Sequence, residues 1–446
     1  MRLLKGFQTL WTVLLLAWGA TAASADEVIS DPGIGIRVAP GSQAETTTYY
    51  ERISTKLGVA DTRRDLPSLT ALLRHLGYRS LTAEDLEFKS PSDLMATFPN
   101  DQLLVSRFFA PKIVDFNVKS ADTQYPYSVG WRKLVRITAL PGSGADSAGL
   151  EAAYVLFNYV QMQLTDAPFP DGTSFSESVN TQVIIVPRTF AMGREDSAYF
   201  LDFDTRTGGY EIHDFLSAAF DVAQDPNHPE KTKRNYYVPT ACAQCHGHDQ
   251  EGGGPTNGVF PYAKLNYLDT DQWYDMMAFG EFPSTLGTYD VLFDGGLDHS
   301  TGAYGAAFDV IRKLNNFIRN QNSESVHSGD IDLFKIKAVD KWLALHQTSA
   351  DPVPALARAL DLENGSAIWQ DTQDDRALLG LLDQYCFRCH SSVLYSVFDK
   401  QAVADRWRTI ARYVQLPADN ASHMPQGRQL DAQTIADIVK YVQALK

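Results

Sequence analysis

All four cysteines of this 446-residue chain fall into two copies of one frame, Cys242-Ala-Gln-Cys245-His246 and Cys386-Phe-Arg-Cys389-His390. No other feature constrains the fold as much, because each frame must close a short segment around whatever its thiols hold. Two disulfides would use the same residues, and exported chains often carry them. A Cys-x-x-Cys pair also serves as a dithiol redox couple or as half of a zinc ribbon. None of these explains why a His follows directly both times.

Covalent haem attachment does explain it. Two thiols three residues apart on one helical turn can add to the two vinyl groups along one edge of a porphyrin. The next residue then lies beneath the ring, where its imidazole nitrogen reaches the iron. A neutral imidazole holds iron in both oxidation states. The residues therefore predict two haem c groups, one on Cys242 and Cys245 with His246 as iron ligand, the other on Cys386 and Cys389 with His390.

The N-terminus points to export. Arg2 and Lys5 precede an uncharged apolar run from Leu10 to Ala17, and Ala23-Ser24-Ala25 has the small-x-small pattern of a cleavage site. Residues 1–25 are expected to be a signal peptide, and the mature protein to be periplasmic or otherwise extracytoplasmic. The run is shorter than the ~20 residues that span a bilayer, so no stable membrane span is expected after cleavage.

A chain of this length exceeds what one hydrophobic core organises, which predicts two to three domains. Its formal charge is -15, and loss of Arg2 and Lys5 makes it more acidic. Such a surface repels phosphates and excludes nucleic acid as a partner. It suits redox proteins with basic docking surfaces, whose association weakens as salt rises. A solvated acidic face that only confers solubility is the competing reading.

Residues 26–235 carry no ligand motif. Leu69, Leu72, Leu73 and Leu76 recur at helical spacing within 67–78. Residues 134–137, 154–159, 183–186 and 199–203 are rich in β-branched and aromatic side chains and predict strands. Asp204 to Gly209 predicts a hairpin turn onto 210–212, and the whole reads as a mixed α+β domain. In 236–350, Asp269 with Gln272 resembles a capping box. Tyr304, Ala307, Phe308, Ile311, Leu314 and Ile318 trace an amphipathic helix. In 351–446, a helix over 374–385 leads into Cys386. A last helix capped by Asp431 carries Ile435, Ile438, Val439, Val442 and Leu445 on one face.

Between those two helices lies His423-Met424-Pro425. Helix, Cys-x-x-Cys-His, Met-Pro loop and terminal helix together resemble the small class I cytochrome c domains. The match covers some 70 residues of the last segment, and more loosely about 110 of the one before it. The resemblance does not reach the first 235 residues; with the signal peptide 1–25 and the mixed α+β domain over 26–235 read above, it implies a multidomain chain ending in two mainly α cytochrome c-like haem domains over 236–350 and 351–446. It implies Met424 as the sixth ligand of the second haem, with His423 as the rival. By position His299 is the candidate for the first haem, against Met276, Met277 or an open site. His213, His248 and His327 are weaker candidates. Pro255 is a candidate carbonyl partner for the first proximal imidazole, and Arg408 or Arg412 for a haem propionate.

An iron bound on both faces moves electrons, whereas one with an open face binds small ligands. The first expectation is an exported dihaem cytochrome that transfers electrons between extracytoplasmic partners. The alternative is a dihaem enzyme, peroxidase-like or an oxidase or dehydrogenase, with the first haem as catalytic site. The spacing of the two motifs suits bacterial dihaem peroxidases, but the short stretch after His390 and the long N-terminal extension depart from them. A haem-based sensor would need an output element, and none is visible.

Overall fold

In a computed structural model of the protein, residues 42–111, 129–159, 178–188, 198–205, 209–216, 236–240, 242, 246, 265–273, 306–323, 330–359, 368–386, 390, 396–417, 423–424 and 430–445 are described. The expectations for residues 1–25 and for Cys245, Cys389, His299, Met276, Met277, Pro255, His248 and His327 lie outside them.

Five short helices come first: α1 (Gln43–Lys56), α2 (Thr62–Asp65), α3 (Leu69–His75), α4 (Ala83–Phe88) and α5 (Pro91–Thr97). Each starts where a short oxygen-bearing side chain takes up backbone N–H groups that the helix itself leaves unmet. These are Ser42, Asp61, Ser68, Thr82 and Ser90, and Thr82 with Asp85 closes a reciprocal capping box. After α3 the chain turns at Gly77, where φ is 103° and a Cβ would come within 2.8 Å of Leu140 Cβ. Only glycine meets both conditions without strain.

Six antiparallel strands follow as a simple meander: β1 (Leu103–Pro111), β2 (Val129–Thr138), β3 (Leu150–Tyr159), β4 (Ser178–Pro187), β5 (Tyr199–Asp204) and β6 (Glu211–His213). The four strands expected from composition lie within β2 to β5, and the expected hairpin pairs β5 with β6. Sequence reasoning did not find β1. A short helix, α6 (Gly144–Ser147), precedes β3, and a two-stranded ribbon pairs β7 (Phe215–Leu216) with β8 (Tyr236–Tyr237).

Side chains alternate between the two faces of a strand, so the register sorts the sheet. Val105, Val135, Val155, Val183 and Leu201 form one rung across five strands. The rung containing Lys133 and Phe157 shares their face, which meets the N-terminal helices. There the Lys133 Nζ donates to the carbonyls of Glu87 (2.9 Å) and Lys89 (2.7 Å), and Arg107 donates to Lys89 (2.9 Å). Two cations from the sheet thus cap the carbonyl end of α4.

The opposite face meets later parts of the chain. Phe108 stacks on Trp273 with centroids 4.5 Å apart, and the Tyr154 hydroxyl donates to Gln321 Oε1 at 2.8 Å. The Arg136 guanidinium lies 3.7 Å from the Phe317 ring centroid. Phe317 and Gln321 belong to α7 (Ala306–Ser323), the amphipathic helix expected from the periodicity, which buries Phe308, Ile311, Leu314 and Ile318. One apolar cluster therefore runs from Tyr49 through the sheet and α7 to Ala350.

The remainder is helical: α8 (Asp330–Leu345), α9 (Ala355–Arg358), α10 (Gln373–Tyr385), α11 (Lys400–Asp405), α12 (Trp407–Tyr413) and α13 (Ala432–Gln443). The two helices expected here are α10 and α13, and Asp431 caps α13 as expected. Leu378, Leu382, Val397, Val403, Ile438 and Val442 form a second apolar cluster, and Tyr267 packs against both clusters. The molecule is thus a mixed α/β structure built on a six-stranded antiparallel sheet. Among the described residues no helix is long and apolar enough to cross a membrane.

Lys133 has no exposed surface and two carbonyl acceptors. Lys133→Met keeps the bulk but strips both partners, and it is expected to lower unfolding stability by about 2–4 kcal/mol. Urea denaturation measures this, and a loss below 1 kcal/mol would mean the α4 carbonyls do not depend on it.

Candidate functional site

The segment leading to Cys242 is fixed from α1. The Thr46 hydroxyl donates to the carbonyls of Val238 (2.5 Å) and Asp214 (3.2 Å), and Val238 N–H donates to Asp214 at 3.0 Å. Arg63 holds the Asp214 carboxylate at 2.7 Å. This places Cys242 as a half-buried thiol against the first apolar cluster. Tyr49 lies close by and its hydroxyl accepts from Phe200 N–H at 2.7 Å. Burial pushes the Tyr49 hydroxyl well above its usual range, against that hydrogen bond, and Cys242 adds to the rise. The His246 ring lies 5.8 Å, centroid to centroid, from that of Phe200.

Phe200 shares its rung with Ile184, Tyr154 and Arg136, on the face away from the N-terminal helices. Farther along the same face stands a group of polar residues. Asp202 is directly opposite Gln182, Arg132 directly opposite Asn158, and Ser106 lies on the Asp202–Gln182 rung. Asp202, Asn158 and Ser106 are each 1% exposed. Among the described residues the buried Ser106 Oγ and Gln182 Nε2 have no hydrogen-bond partner. An unmet group of this kind costs about 1–3 kcal/mol, and Leu134 and Leu156 separate Ser106 from Gln182 along the rung. Sequence reasoning missed this group, although a charged Asp202 inside the apolar run Tyr199–Phe203 was a visible signal. His213, a weaker candidate ligand, stands opposite Asp202 and engages the Phe215 carbonyl through Nδ1 at 2.8 Å.

At the second motif, α10 runs directly into Cys386, whose N–H donates to the Leu382 carbonyl at 2.8 Å. His390 N–H donates back to the Cys386 carbonyl at 2.9 Å, so thiol and imidazole share one turn. Cys386 is a half-buried thiol packed against the second cluster. In the expected distal loop, Met424 N–H donates to the Tyr413 carbonyl at 3.1 Å. His423 is buried and engages the Leu416 carbonyl through Nδ1 at 2.6 Å. Such a carbonyl contact is also what orients a ligating imidazole, so His423 keeps its place as rival. Arg408 and Arg412 lie against the neighbouring Trp407 and Tyr413 rings.

A buried ionic network ties this segment to 265–273. Asp383, one turn before Cys386, bonds Arg358 at 2.8 Å, and Arg358 stands 3.9 Å from Asp269. Asp269 accepts from the Tyr267 hydroxyl (2.6 Å) and caps Gln272 N–H (3.0 Å), the expected capping contact. Asp271 bonds His346 Nε2 at 2.9 Å, and the other ring nitrogen engages the Ser349 carbonyl at 2.9 Å. Burial raises the Asp269 carboxyl to about 6, opposed by Arg358 and reinforced by Asp271. Burial disfavours a charged His346, but the bond to Asp271 outweighs it and raises the ring above its usual 6.5.

Among the described residues, Cys242 and Cys386 are half-buried thiols on apolar clusters, surroundings that suit a large apolar group held there. No family model, curated protein or solved structure matches the chain.

The network makes stability fall as pH rises. The folded chain keeps the Asp269 proton between pH 3.8 and about 6, where the unfolded chain releases it. The raised His346 acts in the same direction, its contribution being complete below 6.5 and lost as pH rises through the folded value. Asp269→Asn cannot ionise and is expected to flatten this part of the profile of melting temperature against pH. An unchanged slope between pH 4 and pH 6 would remove Asp269 as its source.

Proposed function

We propose that this protein is an exported dihaem c-type cytochrome that transfers electrons between extracytoplasmic redox partners. One haem is attached to Cys242 and Cys245 with His246 as ligand, the other to Cys386 and Cys389 with His390. The observation that carries the reading is that every cysteine lies in a Cys-x-x-Cys-His frame. The bond from His390 N–H to the Cys386 carbonyl supports it, because it keeps thiol and imidazole on one turn.

In this reading residues 351–446 form a class I cytochrome c-like domain and 236–350 a looser one, with the α+β part before them. When bound, each haem supplies a one-electron iron couple, and the chain sets its surroundings. Met424 is the sixth ligand at the second haem, and a soft thioether there raises the potential. His299 is the candidate at the first. The Arg358–Asp383 pair fixes α10, and with it the attachment turn, against 265–273. The acidic surface favours partners that present basic patches, and association should weaken as salt rises.

A second reading has a specific observation in its favour. The buried polar face beside Phe200 and His246 is a suitable wall for a substrate pocket. In that reading the first haem is the catalytic site of a dihaem oxidoreductase.

Carbon monoxide binding to the reduced protein, with electron paramagnetic resonance of the oxidised form, separates the two. Two low-spin haems that refuse carbon monoxide are expected for the electron-transfer reading, whereas uptake at one haem selects the enzyme. Fewer than two covalent haems per chain after export would overturn both. Met424→Ala is expected to lower the potential of one haem and abolish its sulfur-to-iron absorption band. If both survive, the ligand is not Met424, and His423→Ala becomes the discriminating variant.

A further inference from the structure

The buried ionic network at 265–273 does not balance in charge. Asp269, Asp271 and Asp383 are held by one guanidinium, Arg358, and one imidazole, His346, and each of these side chains belongs to a residue 7% exposed or less. Both His346 nitrogens meet acceptors, the Asp271 carboxylate and the Ser349 carbonyl, each at 2.9 Å, which only the doubly protonated ring satisfies. Arg358 bonds Asp383 at 2.8 Å and stands 3.9 Å from Asp269. Two cations therefore serve three acids, and Asp269 has the longest of these contacts. A surplus charge in a buried site is costly, and such a group takes up a proton instead. Burial accordingly raises the Asp269 carboxyl to about 6, opposed by Arg358 and the Tyr267 hydroxyl and reinforced by Asp271.

We propose that Asp269 is a proton-binding site coupled to the second haem, taking up one proton from solvent as an electron arrives there. The inference rests on the haem attachment proposed for Cys386 and His390. The network borders that turn on both sides. Asp383 precedes Cys386 by one turn, and Arg358 lies 5.1 Å from the centroid of the Phe398 ring. The neighbouring Val397 N–H donates to the His390 carbonyl at 2.9 Å. An electron delivered by a reduced partner protein adds one negative charge at this turn, and one proton on the Asp269 carboxylate cancels it. A small cavity lined by Asp269, Tyr267, Arg358, Trp342 and the half-buried Lys341 admits roughly one water, which gives the proton a way in. The titratable groups around Asp269 are Tyr267 and Asp271 on its own segment and Arg358 on α9, with Asp383 of α10 behind it. Lys341 on α8 and His346 just after α8 complete the set.

Spectroelectrochemical titration of the purified, haem-loaded full chain between about pH 5 and pH 8 tests this coupling. The potential of the second haem is expected to be level at the acid end and to fall as pH rises. The fall should reach at most a tenfold change in the reduction equilibrium per pH unit, about 59 mV. Asp269→Asn should abolish it. Tyr267→Phe removes a bond that favours the ionised carboxyl. With that variant the fall should persist but begin at higher pH, which a merely structural Asp269 does not predict. The second haem is identified as the one missing from a Cys386→Ala/Cys389→Ala variant. A level potential in the parent, a slope confined to the other haem, or a slope that Asp269→Asn leaves intact overturns the coupling while the haem reading stands. Lack of a haem on Cys386 and Cys389 overturns both.

Discussion

The constraint on which the rest depends is that strands β1 to β5 are covered on both faces. An antiparallel meander commonly leaves one face to solvent. Here the rungs through Val155 and Phe157 meet the N-terminal helices, and the rungs through Tyr154 and Phe108 meet α7 and Trp273. Cys242 packs against the apolar cluster that includes the sheet. Its position is set by α1 through Thr46 and Val238, and by the Phe200 rung beneath His246.

Burial on both sides also raises the energetic stakes of every polar residue in the sheet. Lys133 and Arg107 meet theirs by capping the carbonyls of α4. The Tyr154 hydroxyl does so on Gln321. Among the described residues the Ser106 Oγ and Gln182 Nε2 have no such partner.

The ionic network at 265–273 plays a corresponding part for the second motif. Arg358 joins α9 to Asp383 on α10, and Asp269 and Asp271 bring in Tyr267 and His346. Burial of several charges adds little net stability but makes any single loss costly. Its effect is to fix one arrangement of α10, and so of the turn from Cys386 to His390, against the neighbouring segment.

The amino-acid sequence by itself determined the local events. Periodicity was enough for α3, α7, α10 and α13, and β-branched and aromatic runs for the cores of β2 to β5, because these depend on neighbours within a turn or a rung. It also singled out Cys242, His246, Cys386 and His390, since the haem attachment proposed for them needs fixed spacing along the chain. The tertiary structure decided what lies far apart in sequence. Gln182 and Asp202 become neighbours on one face only through strand register, and His346 meets Asp271 only through the packing after α8. Register and packing are cooperative properties of the whole core, and no window of residues contains them.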